Sequence, residues 1–571
     1  MLPEVIREIE SSASTLVFTN VRSASEIWYQ AILNARPDWA GLIAVHHGSL
    51  AKEVRGFVEE GLKSGALKAV VCTSSLDLGV DFLPVERVLQ IGSPKGIARL
   101  LQRAGRSGHA PGRPSRITIV PTQAIELVEA AAARVAAHAK RIEARTPPHA
   151  PLDVLVQHMV TLGLGVGFMP QALFDEVRTT HAYRDLTLRA FDWCLQFASD
   201  GGALTAYPDY HKLVPGEDGH YRVMNPQIAR RHRMSIGTIV SDGAMDVKWQ
   251  SGGRLGSIEE SFIARLKVGD VFSFAGHVLE LVRVRDMAAS VKKSKRKTGI
   301  VPQWGGGRMP LSTELADATL ALLGEMAQGK DKSTETVAIR PLINVQIAKS
   351  ALPTPQRMVM EAIASDEGAH FYCYPFAGRL AHIGLAALIG WRASAHDPAT
   401  FSFSANDYGF ELHSASPFDW KKLIANGLFD PRGAEEDIVS ALNASELAKR
   451  RFREIARVAG LIFQGFPGAP ASTKQLQVSS ALLFEVFQTH DPDNQLLQQA
   501  RDESLRQELD LDRIREALTR MNTLPHIITT PARFTPFSFP LMAERLRDTV
   551  STESLSQRLQ KLAAELEKDA A

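Results

Sequence analysis

Cys72-Thr-Ser-Ser-Leu-Asp-Leu-Gly-Val-Asp81, then Val88-Leu-Gln-Ile-Gly92, then Gln102-Arg-Ala-Gly-Arg-Ser-Gly-His109 form the stretch that decides the fold. Each polar cluster follows an apolar run at the place where a strand should end. Working outward, apolar runs at Leu16 to Phe18, Leu42 to Val45, Ala69 to Val71, Val88 to Ile91 and Ile117 to Val120 read as buried parallel strands. Helical periodicity lies between them, at Ser23 to Asn34, Lys52 to Lys63 and Gly96 to Ala104. This alternation predicts an α/β doubly wound sheet, a fold that builds its sites from the loops at the carboxyl ends of its strands.

On these motifs, residues 1 to 145 resemble the second RecA-like domain of superfamily 2 helicases. Trp304-Gly-Gly-Gly-Arg-Met-Pro310, Phe376-Ala-Gly-Arg-Leu-Ala-His-Ile383, Asn406-Asp-Tyr-Gly-Phe-Glu411 and Arg450-Arg-Phe-Arg-Glu-Ile-Ala456 extend the likeness over the rest of the chain. Together the strings are similar to the Lhr family, in particular its ligase-associated DEXH-box branch. No phosphate-binding loop precedes the motor motifs, and the start near a strand-like Ser14 to Asn20 leads us to expect a carboxyl-terminal portion lacking the first, ATP-binding RecA-like domain.

The resemblance implies roles for individual residues. Arg106 matches the arginine finger, which stabilises charge on the γ-phosphoryl oxygens, and Gln102 and Arg103 open the same motif and contribute to γ-phosphate sensing and to coupling with the DNA groove. Gly79, Asp81 and His109 face the nucleotide, although a histidine is a weaker permanent cation than the arginine common at that place. Asn20, Arg22, His47, Ser49, Thr73 and Ser74 border the DNA backbone, where phosphate contacts position a strand without reading its sequence. ATP with Mg²⁺ is the expected cofactor, completed by the other lobe. The implied activity is 3′-to-5′ translocation on single-stranded DNA, opening DNA or RNA:DNA duplexes in bacterial repair. Ligase and nuclease proteins are the implied partners, the setting is the nucleoid-associated cytoplasm, and a homo-oligomer stays open.

The length of 571 residues supports three or four domains. A proline cluster at Thr146-Pro-Pro-His-Ala-Pro151 marks a boundary. Residues 146 to 230 then read as a winged helix, with helices at Phe174 to Val177, Tyr183 to Leu188 and Phe191 to Ala198 and a hairpin from Ala203 to Met224. Residues 231 to 571 read as an accessory domain, barrel-like over about 231 to 350 and mixed α/β beyond. Within it Lys292, Lys293, Lys295 and Arg296 precede Trp304, which is followed by three glycines. Cations on phosphates and an aromatic face on a base suit single-strand contact, and a solvated loop and a plugged barrel end are the plain alternatives.

A net charge of +2 and a pI near 8.3 exclude a globally basic binding mode, so nucleic-acid affinity must be local. The three cysteines are far apart, without metal or redox spacing, which favours a reducing compartment and no metal site. No run of eighteen apolar residues suggests a membrane span. Gly324-Glu-Met-Ala-Gln-Gly-Lys330 imitates a phosphate loop but reads as a helix end. The basic residues Lys449, Arg450, Arg451 and Arg453 share one helix face, open to DNA or to solvent, and Leu555 to Leu566 make a short apolar stripe. Two rival functions remain: a non-catalytic nucleic-acid scaffold, and a glycosylase-like enzyme for which Asp407 and Glu411 are the only nominees.

Overall fold

The computed structural model describes every residue except 79–84, 109–111, 113, 146, 239–243, 264–265, 286–287, 297–308, 331, 443, 464, 467–468, 471–472, 548–559, 561–562 and 565–571. Its contacts divide the chain into two compact units. The first combines Met1–Glu143, Ala244–Asp437 and Asp512–Ala571; the second combines Ala144–Gly243 and Ile438–Leu511.

The first unit begins with five parallel strands, β1 (Thr15–Phe18), β2 (Ile43–His46), β3 (Ala69–Cys72), β4 (Arg87–Ile91) and β5 (Ile117–Val120), in the order β2-β3-β1-β4-β5. Helices α1 (Leu2–Glu10), α2 (Arg22–Ala35), α3 (Lys52–Lys63), α4 (Ile97–Ala104) and α5 (Ile125–His138) accompany them. Alternate residues of the strands enter two different cores. Leu16, Phe18, Val70 and Val88 lie in one, and Val17, Val71, Leu89 and Ile91 in the other. A sheet covered on both faces needs unbroken apolar runs, as the sequence supplies, and each such buried Val or Leu contributes roughly 1.5–3 kcal/mol.

A second sheet in this unit has strand order Val271–Phe274, His277–Arg285, Ala288–Lys293, Ala244–Trp249, Arg254–Glu259. All neighbours are antiparallel except Ala288–Lys293 with Ala244–Trp249. Among the described residues its two edge strands are not joined, so the sheet is mixed and closure into the expected barrel is not shown. Lys292 and Lys293 lie in a strand instead of the expected loop, and Lys292 pairs with Glu280 at 2.8 Å. This sheet packs on β2 and the residues after it. Val45 and Leu50 join its core, Ala51 N donates to Leu255 O at 2.9 Å, and Ser257 N donates to Ser49 O at 2.7 Å.

A third sheet runs Ser402–Ala405, Phe410–Ser414, Gly368–Cys373, Met358–Ser365, His526–Thr529, with the last two parallel. With the helices Thr313–Ala327 and Thr334–Lys349 it forms a core that includes Ile97, Leu100 and the alanine face of α5. The phosphate-loop imitation at Gly324 to Lys330 is indeed the end of a helix.

The second unit contains helices Leu152–Gly163, Pro170–Arg178, Leu188–Asp200 and Pro226–Ser235, and a short hairpin pairing Val214–Pro215 with Tyr221–Arg222. Two local expectations are corrected. Tyr183 to Thr187 is turn and coil instead of helix, and Gly202–Leu204 and Pro208–Tyr210 are single 3-10 turns where the first hairpin strand was expected. The proline and glycines there deny the run an extended ladder. Residues 438–511, grouped by the sequence with the accessory domain, return to this unit. Phe452, Phe484, Phe487 and Leu496 share one core with Phe174, Phe191 and Phe197. The basic helix Ala444–Val458 is tied internally, with Lys449 paired to Glu485, Arg450 to Glu508 and Arg451 to Glu503. The apolar stripe from Leu555 to Leu566 lies almost wholly outside the described residues.

Candidate nucleotide and nucleic-acid site

The carboxyl ends of β1 to β4 deliver the motif residues to one edge of the sheet. Thr19 N donates to Cys72 O at 2.8 Å and Thr73 N to His46 O at 3.3 Å, so the strand-end loops are stitched side by side. Arg22 and Ser74 are exposed there and Asn20 is half-buried. Arg22 Nη1 donates to Ser49 Oγ at 2.8 Å, and Asn20 Nδ2 donates to Ser93 O at 2.6 Å.

Other expected strand contacts face inward. Ser49 and Thr73 are buried, and His47 is fully so, with Nε2 3.0 Å from a Glu26 carboxylate oxygen. Glu26 also accepts from the backbone N–H groups of Ala275 and Gly276, at 2.6 and 3.0 Å. Those two residues form the turn of the hairpin Phe274–His277, with φ of 55° and 73°. Positive φ at both central residues suits the hairpin twist and turns the two N–H groups toward Glu26. His47 therefore ties the first sheet to the second through Glu26.

Helix α4 carries the finger motif and is held at both ends. At its start the Glu143 carboxylate accepts from Ile97 N and from Ala98 N, the latter at 2.7 Å, and Ser312 Oγ adds a bond at 2.9 Å. Burial works against the Glu143 charge, but these N–H groups at a helix amino terminus hold its pKa below the ordinary value. At its end Arg103, expected at the nucleotide, is instead fully buried. Its Nε donates to Asp77 Oδ1 at 2.9 Å, its Nη1 donates to Gln90 and, at 3.4 Å, to Asn20, and its guanidinium lies 4.7 Å from the Phe18 ring centroid. One side chain thus joins α4 to β1, β4 and the segment after β3.

Arg106 follows in the turn beyond α4, its N donating to Arg103 O at 3.0 Å. Ser107 Oγ accepts from Arg116 N at 2.8 Å and Gly108 N donates to Val85 O at 3.2 Å. Gly108 has φ 71°, and a Cβ there would stand 2.6 Å from Pro114 O, so this turn requires glycine. Gln102 is exposed on α4. Lys295 and Arg296 are exposed beyond their strand, whereas Gly79, Asp81, His109 and Trp304 lie outside the described residues.

A polar cluster that the sequence did not reveal sits behind the β4 loop. Lys95, at φ 65°, places Nζ 2.7 Å from Asp407 Oδ2, and Asp407 also accepts from Leu311 N and Arg379 N at 2.9 and 3.1 Å. Beside it Glu129 of α5 is fully buried and accepts from Ser93 Oγ and, at 2.8 Å, from Tyr408 Oη. Burial pushes the Glu129 pKa up to about 7, against the pull of Lys95 and the two hydroxyls. Glu411 is buried too, bonded to His370 Nδ1 at 2.8 Å, Tyr372 Oη at 3.0 Å, Ser404 Oγ at 3.0 Å and Arg545 Nε at 3.1 Å. Both nominees for a glycosylase-like carboxylate are thus committed to internal hydrogen-bond networks. Among the described residues no group of three or more His, Cys, Asp or Glu could hold a metal. Cys72, Cys194 and Cys373 are buried, and burial raises all three thiols.

Known proteins share this arrangement. Residues 1–111 match the helicase conserved C-terminal domain, 135–301 the winged helix domain of large helicase-related protein, and 352–538 the DEAD/H associated domain. ATP-dependent helicase Lhr-Core protein 2 of Thermococcus barophilus is 28% identical over 88% of this chain and 60% of its own length. Lhr helicase/uracil glycosylase of Escherichia coli is 28% identical over 91% of this chain and 37% of its own. The chain therefore spans less than two thirds of these relatives. The solved structure of Mycobacterium smegmatis helicase Lhr bound to ssDNA and AMP-PNP has the same fold, with a TM-score of 0.72 and 24% identity over 94% of this chain and 67% of that one. With its motor sheet followed by a winged-helix domain and a DEAD/H-associated domain, this chain belongs to the Lhr family of helicases.

Proposed function

We propose that this chain supplies the second motor domain and the accessory domains of an ATP-dependent DNA helicase that tracks 3′ to 5′ along single-stranded DNA and opens DNA or RNA:DNA duplexes in repair. The observation that carries the reading is the fixation of α4. Glu143 at one end and the buried Arg103 at the other hold the helix, and the bond between Ser107 and Arg116 fixes the turn that carries Arg106. A cation set in advance where charge develops lowers the barrier to phosphoryl transfer without reorganisation during the step.

In this reading ATP with Mg²⁺ sits between this domain and a second RecA-like lobe that holds most of the nucleotide, and Arg106 reaches the γ-phosphate across the cleft. Arg103 is a positioning residue. Its bonds to Asp77 and Asn20 link the finger helix to the two loops that also carry Ser74 and Arg22, so nucleotide state and grip on the DNA backbone move together. Lys295, Arg296 and Trp304 add a further single-strand contact, cations on phosphates and the indole on a base. The relatives support the reading by name as ATP-dependent helicases, and the M. smegmatis protein by its bound ssDNA and AMP-PNP.

The test is DNA-stimulated ATP hydrolysis by this chain beside a form that also carries an amino-terminal ATP-binding lobe. Turnover in the longer form alone is expected; turnover in neither would leave the scaffold reading in its place.

A further inference from the structure

The second unit holds a cavity of about 610 Å³ that the motor does not use, between the helix Pro226–Ser235, the turn at Pro208–Tyr210 and the segment after the helix Ala444–Val458. Its volume is within the range of about 300–1,000 Å³ usual for small-molecule sites.

One wall is cationic. Lys212 is only 7% exposed, and its Nζ donates to Ala459 O at 2.6 Å, its single acceptor among the described residues. An ammonium has three N–H donors, and among the described residues no carboxylate pairs with this one; burial lowers its pKa to about 8. Gly460, at φ 69°, keeps the space before it open: a Cβ there would come within 3.2 Å of Nζ. His232 shares the wall, with Nε2 2.8 Å from Thr161 Oγ. Burial first, and then the positive charges of Lys212 and Arg233, push the pKa of His232 down to about 4. The wall thus presents one buried positive charge and a neutral imidazole.

The rim is aromatic. Tyr207 is 60% exposed and meets Tyr210 edge-on, with centroids 6.5 Å apart and planes at 90°. Phe463 lies 6.0 Å from the guanidinium of Arg231, which is neutralised by Asp209 at 2.9 Å. A simple anion would leave these rings unused, and an apolar ligand would leave the ammonium without a counter-charge.

We propose that this cavity is a nucleotide site, taking the phosphate of a nucleoside 5′-phosphate at Lys212 and its base against the Tyr207, Tyr210 and Phe463 rim. The nucleotide is either free or the residue of a DNA strand turned into the cavity. Both sources offer the same phosphate and ring, and neither role belongs to the motor cleft.

The experiment is calorimetric titration of the whole chain with thymidine 5′-monophosphate, with thymidine, with inorganic phosphate and with a ten-residue oligo(dT). Wild type, Lys212→Gln and Tyr207→Ala are compared. Thymidine monophosphate is expected to bind at least tenfold more tightly than thymidine or phosphate, and Tyr207→Ala to weaken it about tenfold, the effect of one lost stacking contact. Tyr207 stands on the rim, so its variant keeps the test valid if Lys212→Gln fails to fold. A Tyr207-dependent signal with the monophosphate assigns a free nucleotide, and one with oligo(dT) alone assigns a strand nucleotide. Binding by neither, or binding untouched by Tyr207→Ala, would overturn the site.

Discussion

Replacing Glu129 by Gln should remove a pH dependence from the stability of the motor domain. The carboxyl has an ordinary value of 4.5 and is pushed to about 7 in the fold by burial. Below pH 4.5 it is protonated in both the folded and the unfolded chain and contributes no dependence. Between 4.5 and 7 the unfolded chain releases the proton and the folded chain keeps it, so stability falls as pH rises through this window. One pKa unit corresponds to about 1.36 kcal/mol, so the full loss above pH 7 is roughly 3 kcal/mol. Gln fills nearly the same volume beside Ser93 and Tyr408 but cannot ionise. Native-state hydrogen exchange of α5 reads the local opening free energy without requiring the whole molecule to unfold in one step. Wild type minus Glu129→Gln should decline by about 3 kcal/mol from pH 4.5 to 8, most steeply between pH 5 and 7. A difference flat across that range would refute the reasoning.

Other substitutions separate chemistry from scaffolding. Arg106→Ala in the ATP-hydrolysing protein should cut turnover by about 10³-fold or more while single-strand affinity, read by fluorescence anisotropy, stays within about twofold. Arg103→Ala removes the nearer of the two cations beside the buried Asp77 carboxylate, leaving Arg99 at 3.8 Å, and should destabilise the first unit by about 3 kcal/mol in urea unfolding, with Arg103→Lys recovering only part of it. Gly276→Ala brings a Cβ within 2.9 Å of the Tyr29 ring at φ 73° and should cost about 1–3 kcal/mol, checked by the urea midpoint. Trp304→Ala should weaken oligo(dT) binding by about 1–3 kcal/mol with unchanged thermal stability; lost stability with intact binding would make the indole a core residue.

The parallel sheet was legible because both of its faces are covered, which forces continuous apolar runs such as Val70 to Cys72 and Val88 to Ile91. Helix α3 spans Lys52–Lys63, the limits read from its periodicity. Motif order also marked the strand ends, but not which way each side chain points. His47 and Arg103 look like exposed polar residues of a motif, and only their distant partners, Glu26 with the hairpin at Ala275 and Asp77 with Gln90, turn them inward. The Lys95–Asp407 pair and the Glu129–Tyr408 bond join segments hundreds of positions apart, and no local period encodes them. The return of residues 438–511 to the second unit was hidden for the same reason, since Phe452 and Phe487 are simply apolar until their partners Phe191 and Phe197 are known. At Ala203 to Tyr207 a β-like composition misled, because the flanking glycines and Pro208 favour tight turns.

The parallel partner of strand Met358–Ser365 is His526–Thr529, the last strand among the described residues. During synthesis the ribosome must therefore deliver the whole of residues 438–511, which fold elsewhere, before that edge is covered. Until then a nascent chain carries a bare row of backbone donors and acceptors along Met358 to Glu361, the kind of edge that recruits other chains. Messages cut short before residue 526 should accordingly yield aggregates bound by chaperones instead of a smaller soluble protein, so the last strand works as a completion signal for biogenesis.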